Sequence, residues 1–169
     1  MFYEAKDHHG LKHDPLKCLI APRPIGWIST LDSEGHANLA PFSFFNGVSA
    51  DPPVVMFSAG GQHHDGGFKD SAANAEATGE FVCNLTTWST REQMNLTSAE
   101  APRGWDEFKL AGLTPTASSS ALASVERSLT FHGARSRYSR RVSTGSRSLG
   151  VNRGTTMAHV IPLASFCWR

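Results

Sequence analysis

Short runs of β-branched and aromatic residues, each cut off after a few positions by proline, glycine or a hydroxyl side chain, follow one another from residue 25 onward. Ile25-Gly26-Trp27-Ile28-Ser29-Thr30-Leu31 predicts a strand. Asp32-Ser33-Glu34-Gly35, with Asp first and Gly fourth, fits a type I turn, and His36 to Leu39 returns as the partner strand of a hairpin. Pro41 is expected to break that ladder before a run from Phe42 to Val48. Pro52-Pro53 then leads into a continuous apolar run, Val54 to Phe57, of the kind buried on both faces. The glycine- and histidine-rich stretch from Ala59 to Gly67 has loop composition. After it, Asp70 or Ser71 is placed to cap a short helix from Ala72 to Thr78 that Gly79 closes. Glu80 to Thr86 predicts another strand. Ser89-Thr90-Arg91-Glu92 reads as a capping box opening a helix to about Thr97, and Trp105 to Leu110, followed by Gly112, predicts a further helical turn. Short antiparallel strands with a few helices between them predict a mainly β barrel or sandwich and argue against a parallel doubly wound sheet.

With 169 residues, 40% of them hydrophobic, the chain suffices for one domain with a substantial core. No apolar run approaches the roughly 20 residues that span a bilayer. The first residues lack a basic-then-apolar export pattern, so the expectation is a soluble cytoplasmic protein. Cys18, Cys83 and Cys167 are odd in number and far apart, which argues against a disulfide framework or a zinc site and predicts reduced thiols. The formal charge of +1 conceals a division. Residues 1–118 hold 8 Lys/Arg against 14 Asp/Glu, a net of −6, whereas residues 119–169 hold 8 Arg, no Lys and only Glu126, a net of +7. That second part carries ten serines and shows little apolar periodicity before Val160. It reads as an RNA-binding arm, as a disordered end, or as a stretch translated in a shifted frame.

The common chemical signatures are missing: there is no G-x-G-x-x-G, no P-loop, no H-E-x-x-H and no nucleophile elbow. Gly10 between His9 and His13 weakens any helix that would bring them together, and His63-His64-Asp65 are adjacent residues of a loop, so no metal site is expected. Asp106 and Glu107 are neighbours at a helix start, where exposed carboxylates are ordinary. The remaining signal is for anion binding. Lys69 precedes a helix N-terminus at Asp70-Ser71, where backbone N–H groups, a hydroxyl and an ammonium could meet a phosphate; an ordinary capped surface helix has the same pattern. Ser29, Thr30 and Ser43 suit either pocket-lining or solvent-facing positions. Phe42, Phe44 and Phe45 suit either core packing or stacking on a flat ligand.

Taken in order, Pro22-Arg23-Pro24-Ile25-Gly26-Trp27-Ile28-Ser29-Thr30, Asn38-Leu39-Ala40-Pro41-Phe42-Ser43-Phe44-Phe45-Asn46, Asp51-Pro52-Pro53, Lys69-Asp70-Ser71, Gly79-Glu80-Phe81-Val82-Cys83-Asn84-Leu85 and Gly104-Trp105-Asp106-Glu107-Phe108 resemble the flavin reductase-like family. The resemblance covers about 118 of the 169 residues. It implies an FMN-binding split β-barrel of Greek-key type over residues 1–118, incomplete at its C-terminal end because no Gly-Glu-Val-Val-like phrase follows, with residues 119–169 as an atypical Arg/Ser-rich tail. It also implies a homodimer with FMN at or near the interface. On that reading Ser29 and Thr30 line the flavin pocket, Asn38, Ala40, Pro41, Phe42 and Ser43 meet the ring edge, and Lys69, Asp70, Ser71 and Arg23 serve the phosphate. The implied activity is hydride transfer from NAD(P)H to flavin and onward to a second flavin or another small acceptor, with no catalytic side chain and no metal required. Two alternatives stay open: an FMN-binding module without turnover, or a family member disabled by its altered end. Neither a membrane nor a nucleic acid is an expected partner.

Overall fold

A computed structural model describes residues 8–51, 53–116, 124–125, 130–133 and 157–167. Its elements are α1 (Pro15–Leu19), β1 (Gly26–Leu31), β2 (Ala37–Phe42), β3 (Phe45–Ala50), β4 (Pro53–Ala59), α2 (Asp70–Thr78), β5 (Phe81–Asn84), α3 (Arg91–Leu96), α4 (Glu107–Leu110), β6 (Pro115–Thr116), β7 (Ser124–Val125), β8 (Thr130–Gly133) and β9 (Met157–Cys167). Seven strands form one antiparallel sheet in the order β2-β1-β5-β8-β9-β4-β3, and β6 pairs with β7 separately.

That order dictates a curl. The outermost strands, β2 and β3, are consecutive in the chain and joined only by Ser43 and Phe44, so the two edges of the sheet must approach each other at that corner. The Ser58 N–H donates to the Phe44 carbonyl at 2.8 Å and pins the corner to β4. Ring contacts confirm the curl from inside: Phe42 of β2 lies 5.1 Å from Phe57 of β4, and Phe57 lies 4.8 Å from Phe81 of β5 in an edge-to-face arrangement, although neither pair belongs to neighbouring strands. Ile28, Phe42, Val55, Phe57, Phe81 and Cys83 fill this interior, and Ala72 and Ala75 of α2 join the same cluster. The outer face of β1 and β2 is covered as well. Trp27 and Leu39 pack there against Phe108 of α4, flanked by Met94 of α3 and Leu113.

The hairpin turn forms as expected, with the Gly35 N–H donating to the Asp32 carbonyl at 3.2 Å. The Asp32 carboxylate also accepts from the Glu34 and His36 N–H groups, both at 2.8 Å, and from the His36 ring. That ring bond lowers the Asp32 pKa and raises that of His36. Four local expectations need correction. Pro41 does not break the ladder but sits within β2 opposite Trp27, because an edge strand needs N–H donors on one side only; the break comes at Ser43-Phe44, and β3 runs from Phe45. β4 alternates instead of being buried throughout: Val55, Phe57 and Ala59 face inward and Val54 and Met56 do not. Lys69 is the N-cap residue of α2, without a side-chain bond, and Asp70 and Ser71 are its first helical residues; Gly79 closes the helix at φ 74°. The capping box belongs to Thr87 and Thr90 around a short 3-10 turn, Trp88–Thr90, rather than to Ser89 and Glu92.

Beyond residue 118, β8 and β9 lie between β5 and β4, β9 pairing with β4 from Val54↔Pro162 to Ala59↔Met157. The Arg-rich run Arg135 to Arg141 lies outside the described residues. Among those described, no helix is long and apolar enough to cross a membrane.

Burial separates the two described thiols. Cys83 sits inside the curl, where desolvation pushes its pKa up to about 12, while Cys18 is exposed. Since the thiolate is the reacting species, a disulfide reagent at pH 8 should modify Cys18 promptly and leave Cys83 untouched until denaturant is added. Peptide mapping that found Cys83 labelled in the native protein would contradict this packing.

Candidate functional site

Two segments that are about thirty residues apart in sequence meet over one cavity. Its walls are Asn38, Ala40, Pro41 and Phe42 from β2, Lys69, Asp70 and Ser71 from the start of α2, Gln62, His63 and His64 from the preceding loop, Thr97 to Ala101 from the chain after α3, and Glu107 of α4. Asn38 and Asp70 also separate this cavity from a second, lined by Asp32, His36, Asn74, Arg103 and Trp105 among others.

Local chemistry holds these walls in place. The first N–H groups of α2 have no acceptor within the helix, and its macrodipole adds positive potential at the same end. Arg103 ties this end down: its guanidinium pairs with the Asp70 carboxylate and donates to the Gly66 and Phe68 carbonyls at 2.7 and 3.0 Å. Asp70 is thereby partly neutralised beside Lys69. His63, most of its side chain covered, bonds through Nε2 to the Ala101 carbonyl at 3.2 Å, while its Nδ1 accepts from the Asp65 N–H at 3.2 Å. Both ring nitrogens are thus committed to the backbone. His63, His64 and Asp65 do cluster closely enough to hold a cation, but a metal on Nδ1 would have to displace the Asp65 bond.

The last wall is Glu107, only 8% exposed. Its Oε1 accepts from Asn38 Nδ2 and its Oε2 from the Leu39 N–H, both at 3.1 Å, so α4 braces β2 through a carboxylate. Burial raises its pKa, its own backbone N–H together with the Leu39 and Asn38 donors opposes that rise, and the nearby Asp70 charge adds to it.

The flavin reductase like domain matches residues 19–156, most of the chain. The chain belongs to that family. An uncharacterized protein from Aquifex aeolicus is 46% identical over 100 residues, which is 59% of this chain and 50% of that protein. The chain thus spans about half the length of the curated relatives it matches. Among solved structures, nitrilotriacetate monooxygenase component B from Bacillus cereus superposes with a TM-score of 0.75 at 26% identity, covering 95% of this chain and 82% of that one. The styrene monooxygenase flavin reductase from Pseudomonas putida S12 shares the fold, with a TM-score of 0.61 at 15% identity over 86% of this chain and 80% of that one. Flavin reductases of the split-barrel type are therefore its structural neighbours.

Of the residues that the family resemblance marks, Asn38, Ala40, Pro41, Phe42, Lys69, Asp70 and Ser71 converge on the cavity. Four lie elsewhere. Ser29 and Thr30 are fully buried, Ser29 Oγ accepting from Asn84 Nδ2 at 3.1 Å and Thr30 Oγ1 from Asn74 Nδ2 at 3.2 Å. They brace β1 against β5 and α2. Arg23 donates to the Lys17 and Ile20 carbonyls at the end of α1 and lies over the Phe44 ring, and it is not among the residues that line the cavity. Ser43 occupies the β2–β3 corner. Glu107 is the residue that local reading misses: it was expected on an exposed helix start, and its only sequence signal is the neighbouring Phe108, whose full burial draws the start of α4 against β2.

A pH dependence follows from Glu107. Its folded pKa is raised above the usual 4.5, so the folded chain holds this proton longer than the unfolded chain. The stability linked to it is fully present below about 4.5 and is lost as pH rises through the folded value. Relative to Glu107→Gln, the native protein should therefore lose unfolding free energy as pH rises above about 4.5. Urea midpoints that ran parallel for the two proteins across this range would show that Glu107 is not strained by burial.

Proposed function

We propose that this protein binds FMN in the cavity between β2 and α2 and works as a flavin reductase-type oxidoreductase, taking hydride from NAD(P)H and passing electrons to a second flavin or another small acceptor. The observation that carries the reading is the convergence of Asn38 to Phe42 with Lys69 to Ser71. One segment offers an edge-strand backbone and an apolar surface suited to a flat heterocycle. The other offers helix N–H groups and an ammonium suited to a phosphate monoester. The donor set fits an anionic, planar group, and Asp70 does not spoil the fit because Arg103 offsets its charge.

When bound, FMN supplies the hydride-accepting chemistry. The chain's part is to hold and orient. Lys69 and the first N–H groups of α2 would anchor the phosphate, Pro41 and Phe42 would give the ring its apolar surface, and Glu107 would fix β2 against α4. A homodimer belongs to this proposal: among the described residues β3 pairs with β4 alone, every residue of it after Phe45 is exposed, and Leu16, Leu19, Ile20 and Ile25 are exposed near the chain's beginning. A second subunit covering both, and completing a Greek-key barrel in the cytoplasm, is consistent with these surfaces.

The deciding experiment is a visible spectrum after incubation with FMN and desalting, followed by NAD(P)H oxidation with added flavin. Flavin retained near one per subunit, with turnover, is the expected result. Lys69→Glu should weaken FMN retention at least tenfold by placing a carboxylate against the phosphate, while affecting riboflavin far less. A soluble, folded protein that retains no flavin would remove the enzyme assignment.

A further inference from the structure

Three hydrogen bonds link Glu107 to the cavity surface in a chain whose direction is fixed by chemistry. The Glu107 carboxyl is met by Asn38 Nδ2, the Leu39 N–H and its own backbone N–H, all of them donors, which is the environment of the ionised form. A carboxylate accepts only, so the side of the Asn38 amide facing it must be the NH2. Asn38 Oδ1 therefore faces α2, where the Ser71 hydroxyl donates to it at 2.5 Å. Ser71 is only 2% exposed and Glu107 is 8% exposed, and Asn38 between them is half-buried. The hydroxyl proton of Ser71 is thus spent inside the protein, and what remains toward the cavity is lone pairs.

We propose that Glu107 is a positioning residue that fixes, through the Asn38 amide, the direction of the Ser71 hydroxyl, so that Ser71 meets a ligand in this cavity as an acceptor. This revises the part that Ser71 would take at a phosphate. Phosphate oxygens are acceptors too, so the anion falls to Lys69 and the backbone N–H groups of α2, and Ser71 selects a donor group of the ligand, a hydroxyl or an N–H. Lys69, Asp70, Glu100, His63 and His64 line the same cavity, Arg103 pairs with Asp70, Asp106 caps α4, and Lys109 shares that helix with Glu107. None of them bonds to Asn38.

The choice of probes rests on the flavin reading; the relay does not. Riboflavin and FMN differ only by the phosphate, and their dissociation constants by flavin fluorescence separate the two roles of Ser71. With the acceptor role, Ser71→Ala weakens both ligands by the same factor, up to about tenfold, the size of one hydrogen bond. Weakening of FMN alone would make Ser71 a phosphate donor and overturn the proposal. In Glu107→Gln, the new amide can accept from Leu39 N–H only by presenting its NH2 to Asn38, which turns the Asn38 amide around and points the Ser71 proton at the cavity. The preference for FMN over riboflavin should then rise, and the rise should vanish in the Glu107→Gln, Ser71→Ala double variant. Equal, additive losses would mean that Glu107 is merely structural.

Should neither flavin bind, the flavin reading fails and the relay is still decided in the ligand-free protein. The side-chain amide resonances of Asn38 should move in folded Glu107→Gln and, in the native protein, should follow the Glu107 titration. Should Glu107→Gln not fold, that native titration and the Ser71→Ala comparison remain. Asn38 resonances indifferent to the state of Glu107 would refute the relay.

Discussion

Trp27→Ala is expected to lower the unfolding free energy by about 3–5 kcal/mol, the cost of removing a large aromatic side chain from a core that cannot collapse around the gap. Trp27 has no exposed surface, packs with Leu39 and Phe108, and donates its indole N–H to Thr97 Oγ1 at 2.9 Å. Small domains hold only about 5–15 kcal/mol in total, so this one change would consume much of the margin. It also acts at the cavity, because the Thr97 hydroxyl that receives the bond belongs to its lining. Trp27→Phe retains most of the apolar contact and leaves Thr97 still donating to the Met94 carbonyl at 2.9 Å, so its cost should be well under half as large. Denaturant titrations of both variants measure this; a loss below about 1 kcal/mol for Trp27→Ala would mean that α3 and α4 do not seal the outer face of β1.

Ending the chain after residue 118 should abolish the fold altogether. The cut removes β9, which is paired along its length to β4 and β8, and it removes β8, which holds β5. Without them β4 and β5 become new open edges, and Phe57 and Phe81 lose the strands that curl around them. The expected outcome is an aggregating chain without a cooperative thermal transition. A truncated chain that stayed soluble, unfolded cooperatively and bound FMN would make residues 119–169 dispensable.

Legibility in the sequence followed the range of the interactions. The hairpin around Asp32 and Gly35, the closure of α2 at Gly79 and the pairing of Lys69 with a helix start are written in neighbouring residues, and each is found where it is expected. Ser29 and Thr30 show where local reading ends. Two consecutive hydroxyl residues near the end of a strand look like a place where it reaches solvent, yet β1 lies inside a curl on one side and under α3 and α4 on the other, so both faces are dry. Asn74 and Asn84, from elements far along the chain, then satisfy the two hydroxyls. Glu107 was illegible for the same reason. Nothing adjacent to it announces that Asn38 and Leu39, nearly seventy residues earlier, will be its partners.

The two-residue corner at Ser43-Phe44 also sets a limit on motion. Three peptide steps separate Phe42 from Phe45, and each spans at most about 3.6 Å, so the facing edges of β2 and β3 stay within about 11 Å of each other at that end whatever the rest of the sheet does. No such tether joins Ala37 to Ala50 at the far ends of the same strands. The gap between the two edges of this sheet is therefore a wedge hinged at one end, and any widening that admits a ligand or a second chain must enter from the Ala37–Ala50 side.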